Sequence, residues 1–279
     1  MLYPLYPAVD RWWGWDANWS SGSGGVAQRS INTAVNGAVA TLDFSGTGLK
    51  LIYVTYPTYG SLSVVIDGGD PVVIDCGIGS DPNWAASTDI TGLVDGAHTA
   101  TITSVLAGGA NNNVNIQGAV PLKGTAGIRV NNIGNWGTTS ANGADYTTGA
   151  SPKAANITLF APILTTIAYL ANDVIVNTTL AAYKANIQAL ITASKVYGDV
   201  LLIANGLRAE TGLHTQIEYA KVLFDLAKIN NCAFVDINTR WNNDAAYQKD
   251  VLGFGELHPN DAGHQDIGNA IWHALLENN

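Results

Sequence analysis

Basic residues are scarce in this chain. Lys and Arg total 13 of 279 residues against 22 Asp and Glu, giving a net charge of −9 and a pI near 4.8. So few cations cannot neutralise a run of phosphates, which excludes nucleic acid as a partner. Only two cysteines occur, Cys76 and Cys232, far apart in sequence. They read as small apolar residues, with a disulfide the less favoured reading. No apolar run reaches the roughly 18 residues of a membrane-spanning helix, so no membrane association is expected. The opening MLYPLYPAVDRWWGW lacks the basic start and apolar core of a signal peptide. The five histidines show no metal-ligand spacing such as HExxH, and no Walker or dinucleotide glycine pattern follows a strand. Neither a metal nor a cofactor is expected.

What is abundant points elsewhere. Hydrophobic residues make up 47% and charged residues 13%, enough to bury a large core, and the length favours two modest domains. Thirty glycines, eight tryptophans and many Asn, Thr and Ser resemble the make-up of an extracellular or virion-associated carbohydrate protein.

The chain divides by hydrophobic period. From Trp19 to Val120, Ala40, Leu42 and Phe44 alternate with polar residues, as do Leu49, Leu51 and Tyr53, and Leu62, Val64 and Ile66. SGTG at Ser45 to Gly48, DGGDP at Asp67 to Pro71 and VDGAH at Val94 to His98 read as turns between the runs. This predicts an antiparallel β-sandwich, jelly-roll-like, over 19–122. After Gly127 strands and helices alternate. IRVNNIG reads as a short strand, ILTTIAYLAND as a buried strand, and VLLIA and AFVDI as parallel strands. Helical spacing links Leu180, Tyr183, Ile187, Leu190 and Ile191, with Thr178 or Thr179 as N-cap and Gly198 as stop. A second helix carries Ile217, Ala220, Leu223, Phe224 and Ala227, and a last one Ile267, Ile271 and Leu275. An α/β layered domain with a parallel sheet is predicted over 123–279, with 1–18 as a helical segment belonging to it.

In such folds ligands bind in loops at the carboxyl ends of the strands. Three loops there could carry chemistry. NNIGNWGTTS, Asn131 to Ser140, offers glycine backbone that can point an N–H at a developing oxyanion, although alone it reads best as a plain turn. In YLAND, Asn172 could donate its amide to the same charge, although Asn-Asp is also a common turn and cap pair. In GELHPNDAGH, Pro259 keeps His258 out of the following helix, which Asn260 or Asp261 caps, so His258 is placed as a general base. His264 belongs to the first helical turn and reads as structural.

A Gly loop, an Asn loop and a His-Pro loop in this order resemble the SGNH (GDSL-like) hydrolases, flavodoxin-like α/β esterases, many of which deacetylate carbohydrates. The resemblance covers roughly Gly127 to Leu276. It implies an oxyanion hole from Gly137 and Asn172 and a catalytic base at His258. The β-rich half, in LDFSGTGLKLIYV, LSVVIDGGDPVVID and GLVDGAHTATIT, resembles carbohydrate-binding-like sandwiches inserted into phage-tail and bacterial members. The implied activity is serine-type removal of acyl groups, acetyl above all, from a polysaccharide. Trp136 and Asn135 inside the Gly loop are expected at the substrate. Trp12, Trp13, Trp15, Trp19, Tyr56, Tyr59, Trp84 and Trp241 are candidates for sugar stacking, with core packing favoured for each.

Two departures stand out. The family's first block supplies a Gly-Asp-Ser nucleophile, and this chain contains no Asp-Ser dipeptide. An upstream serine beyond Met1, a pseudoenzyme, or a recruited serine such as those in WSSGSGG are the three explanations, and a strand from another chain in a homo-oligomer or larger assembly is compatible with them. Where the family places an Asp three residues before the histidine, Gly255 stands; Glu256, one residue nearer, or the more distant Asp250 could orient His258 instead. The rival reading is a non-catalytic glycan-binding or virion structural protein on the same scaffold.

Overall fold

The computed structural model describes residues 13–23, 29–107, 112–124, 129–131, 133–134, 137–144, 153–205, 214–242 and 258–276. The chain forms two compact units, Met1–Asn135 with Thr147–Leu159, and Trp136–Tyr146 with Phe160–Asn279.

The first unit is antiparallel. Its strands are β1 (Trp13–Trp15), β2 (Ser20–Ser23), β3 (Arg29–Thr33), β4 (Val39–Thr55), β5 (Ser61–Ile66), β6 (Val72–Asp75), β7 (Asn83–Val105) and β8 (Val114–Leu122). Alternation of apolar and polar residues gives β5 and the first half of β4 one buried face, as expected, whereas Val114 to Val120 of β8 are buried throughout. Hydrogen bonds nevertheless join all eight into one sheet, ordered β2-β3-β8-β4-β7-β5-β6 with β1 added to β4. Ile31 of β3 and Ile74 of β6, near opposite ends of that order, share one core with Trp13, Leu42, Phe44, Leu62 and Ile102, so the sheet curls over its apolar face.

Two of the expected turns lie inside strands. SGTG sits within β4 and VDGAH within β7, where Gly46 pairs with Gly96 and Gly48 with Thr91. Four residues of β7, Gly92 to Asp95, thus oppose Thr47 alone, a bulge that bends the ladder without ending it. A Cβ at Gly46 would stand 2.2 Å from the Leu122 carbonyl oxygen, so the neighbouring backbone fills the space a side chain would need. DGGDP does turn the chain. Asp67 and Gly68 have φ of 51° and 74°, and the Gly69 N–H donates to the Ile66 carbonyl between β5 and β6. Trp13–Trp15, in the segment expected as helix, pairs with Leu42 to Ala40 instead. The Trp13 ring is better buried against that sheet than on an isolated short helix.

This unit holds a charged clamp. His98 Nδ1 lies 2.6 Å from Asp67 Oδ2, and its Nε2 lies 2.8 Å from the Val94 carbonyl oxygen. Both neighbours are acceptors, so the doubly protonated ring is the form that satisfies both at once. The Asp67 hydrogen bond comes first in raising the His98 pKa above its ordinary value, followed by the Val94 carbonyl. Asp67 is lowered in return, by His98 and by the Thr99 N–H. Asp43 approaches through the Thr99 hydroxyl at 2.7 Å, and the Phe44 ring lies 5.3 Å from the imidazole. A raised His pKa stabilises the fold fully below the unfolded value of about 6.5 and loses that contribution as pH climbs through the folded value. The melting temperature of this unit should therefore fall above neutral pH. His98→Gln should flatten that fall, and an identical pH profile in the variant would refute the clamp.

The second unit is α/β. Its helices are α1 (Ser140–Ala144), α3 (Ala171–Ile175), α4 (Leu180–Lys195), α5 (Gln216–Asn230), α6 (Ile237–Asn242) and α7 (Asp261–Leu276). A further helix, α2 (Lys153–Phe160), falls with the first unit apart from its last residue. Strands β9 (Leu164–Ile167), β10 (Asp199–Ala204) and β11 (Ala233–Asp236) pair in parallel, in the order β11-β10-β9. Val200 to Ala204 are all buried, as a strand covered on both faces requires. Thr179 caps α4, its hydroxyl accepting from the Ala182 N–H. Thr215 and Glu218 form a capping box on α5.

Several expectations are corrected here. Ile163 and Leu164, assigned to a buried strand, are 86% and 36% exposed, and the strand is only four residues long. Arg129 to Asn131, read as strand, are irregular and half-buried to exposed. On α5, Tyr219 and Leu226 are buried, whereas Ile217 and Phe224 face outward. Leu275 is exposed on α7, while Ile267 and Ile271 pack on the core around Trp241. Cys76 is a free, buried core thiol, pushed up to about 12 by burial, and Cys232 is free as well.

Candidate active site

Of the three loops named from sequence, those with Asn172 and His258 lie in the second unit, and the Gly loop begins in the first unit and enters the second before Gly137. Gly137 has φ +72°, a left-handed conformation that favours glycine. Asn172 stands in the first turn of α3, after the loop that follows β9, rather than at the end of the strand. Its side-chain amide donates to the Thr138 carbonyl at 2.9 Å. The Gly and Asn loops are thus brought together by a direct hydrogen bond. An Asn amide has two N–H donors, so one remains for a further acceptor.

Beneath this contact lies a buried polar cluster that sequence reasoning missed. Asp173 is fully buried and accepts from Ser140 twice, from the backbone N–H at 2.9 Å and from the hydroxyl at 2.7 Å. The Asn186 amide donates to the Ser140 hydroxyl oxygen at 3.1 Å. Tyr183 and Tyr219 meet edge to face at 4.9 Å beside it. The Tyr183 hydroxyl donates to the Tyr169 carbonyl, and the Tyr219 hydroxyl to the carbonyls of Thr178 and Asp173. Burial, and next the Asp173 charge, push both phenols above their ordinary pKa. Spacing placed Tyr183 on the apolar face of α4 but carried no sign of its hydroxyl's partner. Ser140 is completely buried, so its hydroxyl serves the cluster and is closed to a substrate.

His258 is exposed, immediately before Pro259. Asn260 caps α7: its side-chain oxygen accepts from the Gly263 N–H at 2.9 Å, and its carbonyl accepts from the His264 N–H. His264 is exposed in the first turn, as expected. Asn135, Trp136, Glu256, Asp250, Gly255 and Trp12 lie outside the described residues. The serines Ser20, Ser21 and Ser23 belong to β2 of the first unit. Of the aromatic candidates, Trp13, Trp19 and Trp241 are buried, Trp15 and Tyr59 pack against the core, Trp84 is half-buried and Tyr56 is exposed. Among the described residues no group of three His, Cys, Asp or Glu side chains is placed to hold a metal ion, and no helix is long and apolar enough to cross a membrane.

A family model for GDSL-like lipase/acylhydrolases matches residues 104–265, more than half of the 279-residue chain. The chain belongs to that family, and its second unit has the α/β SGNH-hydrolase fold. No curated protein sequence matches it. Among solved structures it is similar to a two-domain esterase active on acetylated mannans, at 10% identity, covering 46% of this chain and 37% of that one with a TM-score of 0.39. It is also similar to Axe2, an acetylxylan esterase from Geobacillus stearothermophilus, at 22% identity over 54% of this chain and 73% of that one, TM-score 0.45. A third is the lipase/acylhydrolase from Enterococcus faecalis, at 20% identity over 48% and 69%, TM-score 0.41. The chain thus spans little more than a third of the mannan esterase.

Proposed function

We propose that the protein is a carbohydrate esterase of the SGNH type, removing acetyl groups from a polysaccharide. The observation that carries this reading is the Asn172–Thr138 hydrogen bond, which joins two potential oxyanion donors inside a chain of the acylhydrolase family. In the proposed reaction a serine oxygen attacks the ester carbonyl while His258 takes its proton. The Gly137 N–H and the Asn172 amide hold the negative oxygen of the tetrahedral intermediate. The C–O bond to the sugar breaks, and His258 returns the proton to the leaving sugar hydroxyl. Water then attacks the acyl-serine by the reverse proton route, releasing acetate. Glu256 is assigned to orient the imidazole, and Trp136 with Asn135 to contact the sugar. The curled antiparallel unit is assigned as the inserted, carbohydrate-binding sandwich of phage-tail and bacterial members.

One observation favours a second reading. No Asp-Ser dipeptide occurs in the chain, so a non-catalytic glycan-binding or virion structural protein on this scaffold is the alternative. Hydrolysis of p-nitrophenyl acetate and of acetylated xylan and mannan, with His258→Ala in parallel, separates the two. The esterase reading expects acetate release that the variant lacks. Equal rates in both proteins would leave only the binding reading.

A further inference from the structure

We infer that Asn142 is a positioning residue for Asn172: it grips the Thr138–Thr139 peptide, whose carbonyl takes one of the two Asn172 amide hydrogens and so aims the other. This deepens the esterase reading of the same site and rests on it for its catalytic consequence. The grip itself can be tested without any activity.

The last torsion of an Asn side chain is broad, so a hydrogen bond must set the plane of its amide. Asn172 is half-buried, and its Nδ2 donates to the Thr138 carbonyl at 2.9 Å. One N–H is spent there, and the planar amide then determines where the second one points. That direction is only as well defined as the carbonyl itself. The carbonyl belongs to the Thr138–Thr139 peptide, a rigid plane whose opposite edge is the Thr139 N–H. This N–H donates to Asn142 Oδ1 at 3.0 Å, and the Thr139 hydroxyl donates to the same oxygen at 3.0 Å. Asn172 and Asn142 thus hold one peptide by its two edges.

The next peptide is held as well. The Ser140 N–H donates to Asp173 Oδ2 at 2.9 Å, and the Thr139 carbonyl accepts from the Gly143 N–H at 3.2 Å. Asn172 and Asp173 are consecutive in α3, so adjacent side chains of one element grip the peptides on either side of Thr139. A side chain that reaches back to the N–H just before its own helix is an ordinary cap. Here the capped peptide is also the one on which Asn172 leans, which gives the cap a second consequence. Asp173 is fully buried, so its removal unsettles the whole unit. Asn142 is exposed on α1, and water can replace it on the Thr139 N–H, so its removal disturbs the aim more than the fold. Loss of an oxyanion donor costs about 10²- to 10³-fold in kcat, so a donor loosened but still present should cost about tenfold.

The test uses the full chain with Asn142→Ala, Asn142→Asp and Thr179→Ala, the last removing a cap of the same kind from α4. In Asn142→Ala, kcat for p-nitrophenyl acetate should fall about tenfold with KM little changed. The side-chain amide resonances of Asn172 should shift in that variant. They should stay near their wild-type positions in Asn142→Asp, which keeps an acceptor oxygen, and in Thr179→Ala. A mere cap would lower the melting temperature in both alanine variants and move neither kcat nor these resonances. Unchanged kcat or unmoved Asn172 resonances in Asn142→Ala would overturn the inference, as would an equal loss of kcat in Thr179→Ala. If the wild-type chain hydrolyses no ester, the esterase reading falls by itself. The Asn172 resonances then decide the grip: movement in Asn142→Ala alone upholds it, and any other pattern overturns it.

Discussion

Asp173→Ala should destabilise the α/β unit by about 4 kcal/mol, since two buried donors, each worth roughly 1–3 kcal/mol when orphaned, lose their acceptor together. Those donors are the Ser140 N–H and hydroxyl, both on Asp173 oxygens and closed to water. The stability of a typical domain is about 5–15 kcal/mol, so a loss of this size removes a large share of it. Asp173→Asn should cost about half as much, because one oxygen still accepts while its amide confronts the other donor. Ser140→Ala removes the hydroxyl and one demand with it, so Asp173→Ala/Ser140→Ala should be less destabilised than the sum of the singles. Urea unfolding followed by hydrogen exchange of α4 and β10 amides reports on this unit alone. A loss below about 1 kcal/mol would mean that water or a neighbouring group replaces the carboxylate, contrary to its complete burial.

How far the site could be read from sequence depends on the range of the interactions involved. The left-handed backbone at Gly137 and the position of His258 ahead of the last helix were legible because each depends on local chemistry, a glycine conformation and a proline that keeps a residue off a helix, whereas Asn172, expected at a strand end, stands in the first turn of α3. Thr179 and Asn260 as caps were legible for the same reason. The Ser140–Asp173–Asn186 cluster joins residues 33 and 46 positions apart, which no local pattern encodes. The turns predicted at SGTG and VDGAH failed instructively. Glycine pairs signal either a reversal or a bulge, and only the partner strand decides which; here the long β4–β7 ladder turned both into bends. Strand β9 was misjudged because ILTTIAYL is apolar enough for burial, yet Ile163 and Leu164 stand at an exposed end of the sheet.

Asp266→Ala should cost about 3 kcal/mol and loosen α7, the helix that begins three residues after His258. Asp266 is nearly buried, and its Oδ2 accepts from the Trp241 indole N–H at 2.9 Å and from Arg240 Nε at 2.7 Å, while Oδ1 accepts from Arg240 Nη2 at 2.5 Å. The two halves of this arrangement differ in worth. Arg240 is 52% exposed, so its ion pair is screened and contributes about 1 kcal/mol or less. Trp241 is fully buried within the core that includes Ile203 and Val235, and its N–H loses its acceptor without water to replace it. The indole bond should therefore dominate. The expected order of destabilisation is Asp266→Ala, then Asp266→Asn, which keeps one acceptor oxygen, then Arg240→Ala. Thermal unfolding of the three variants gives the order directly. Should Arg240→Ala cost as much as Asp266→Ala, the exposed ion pair and not the buried indole would be what fastens α7 to α6. The same variants test whether this anchor matters to His258, the proposed base. His258 and Pro259 precede the Asn260 cap, so a displaced α7 should carry the imidazole with it and reduce kcat in Asp266→Asn beyond what the unfolded fraction explains.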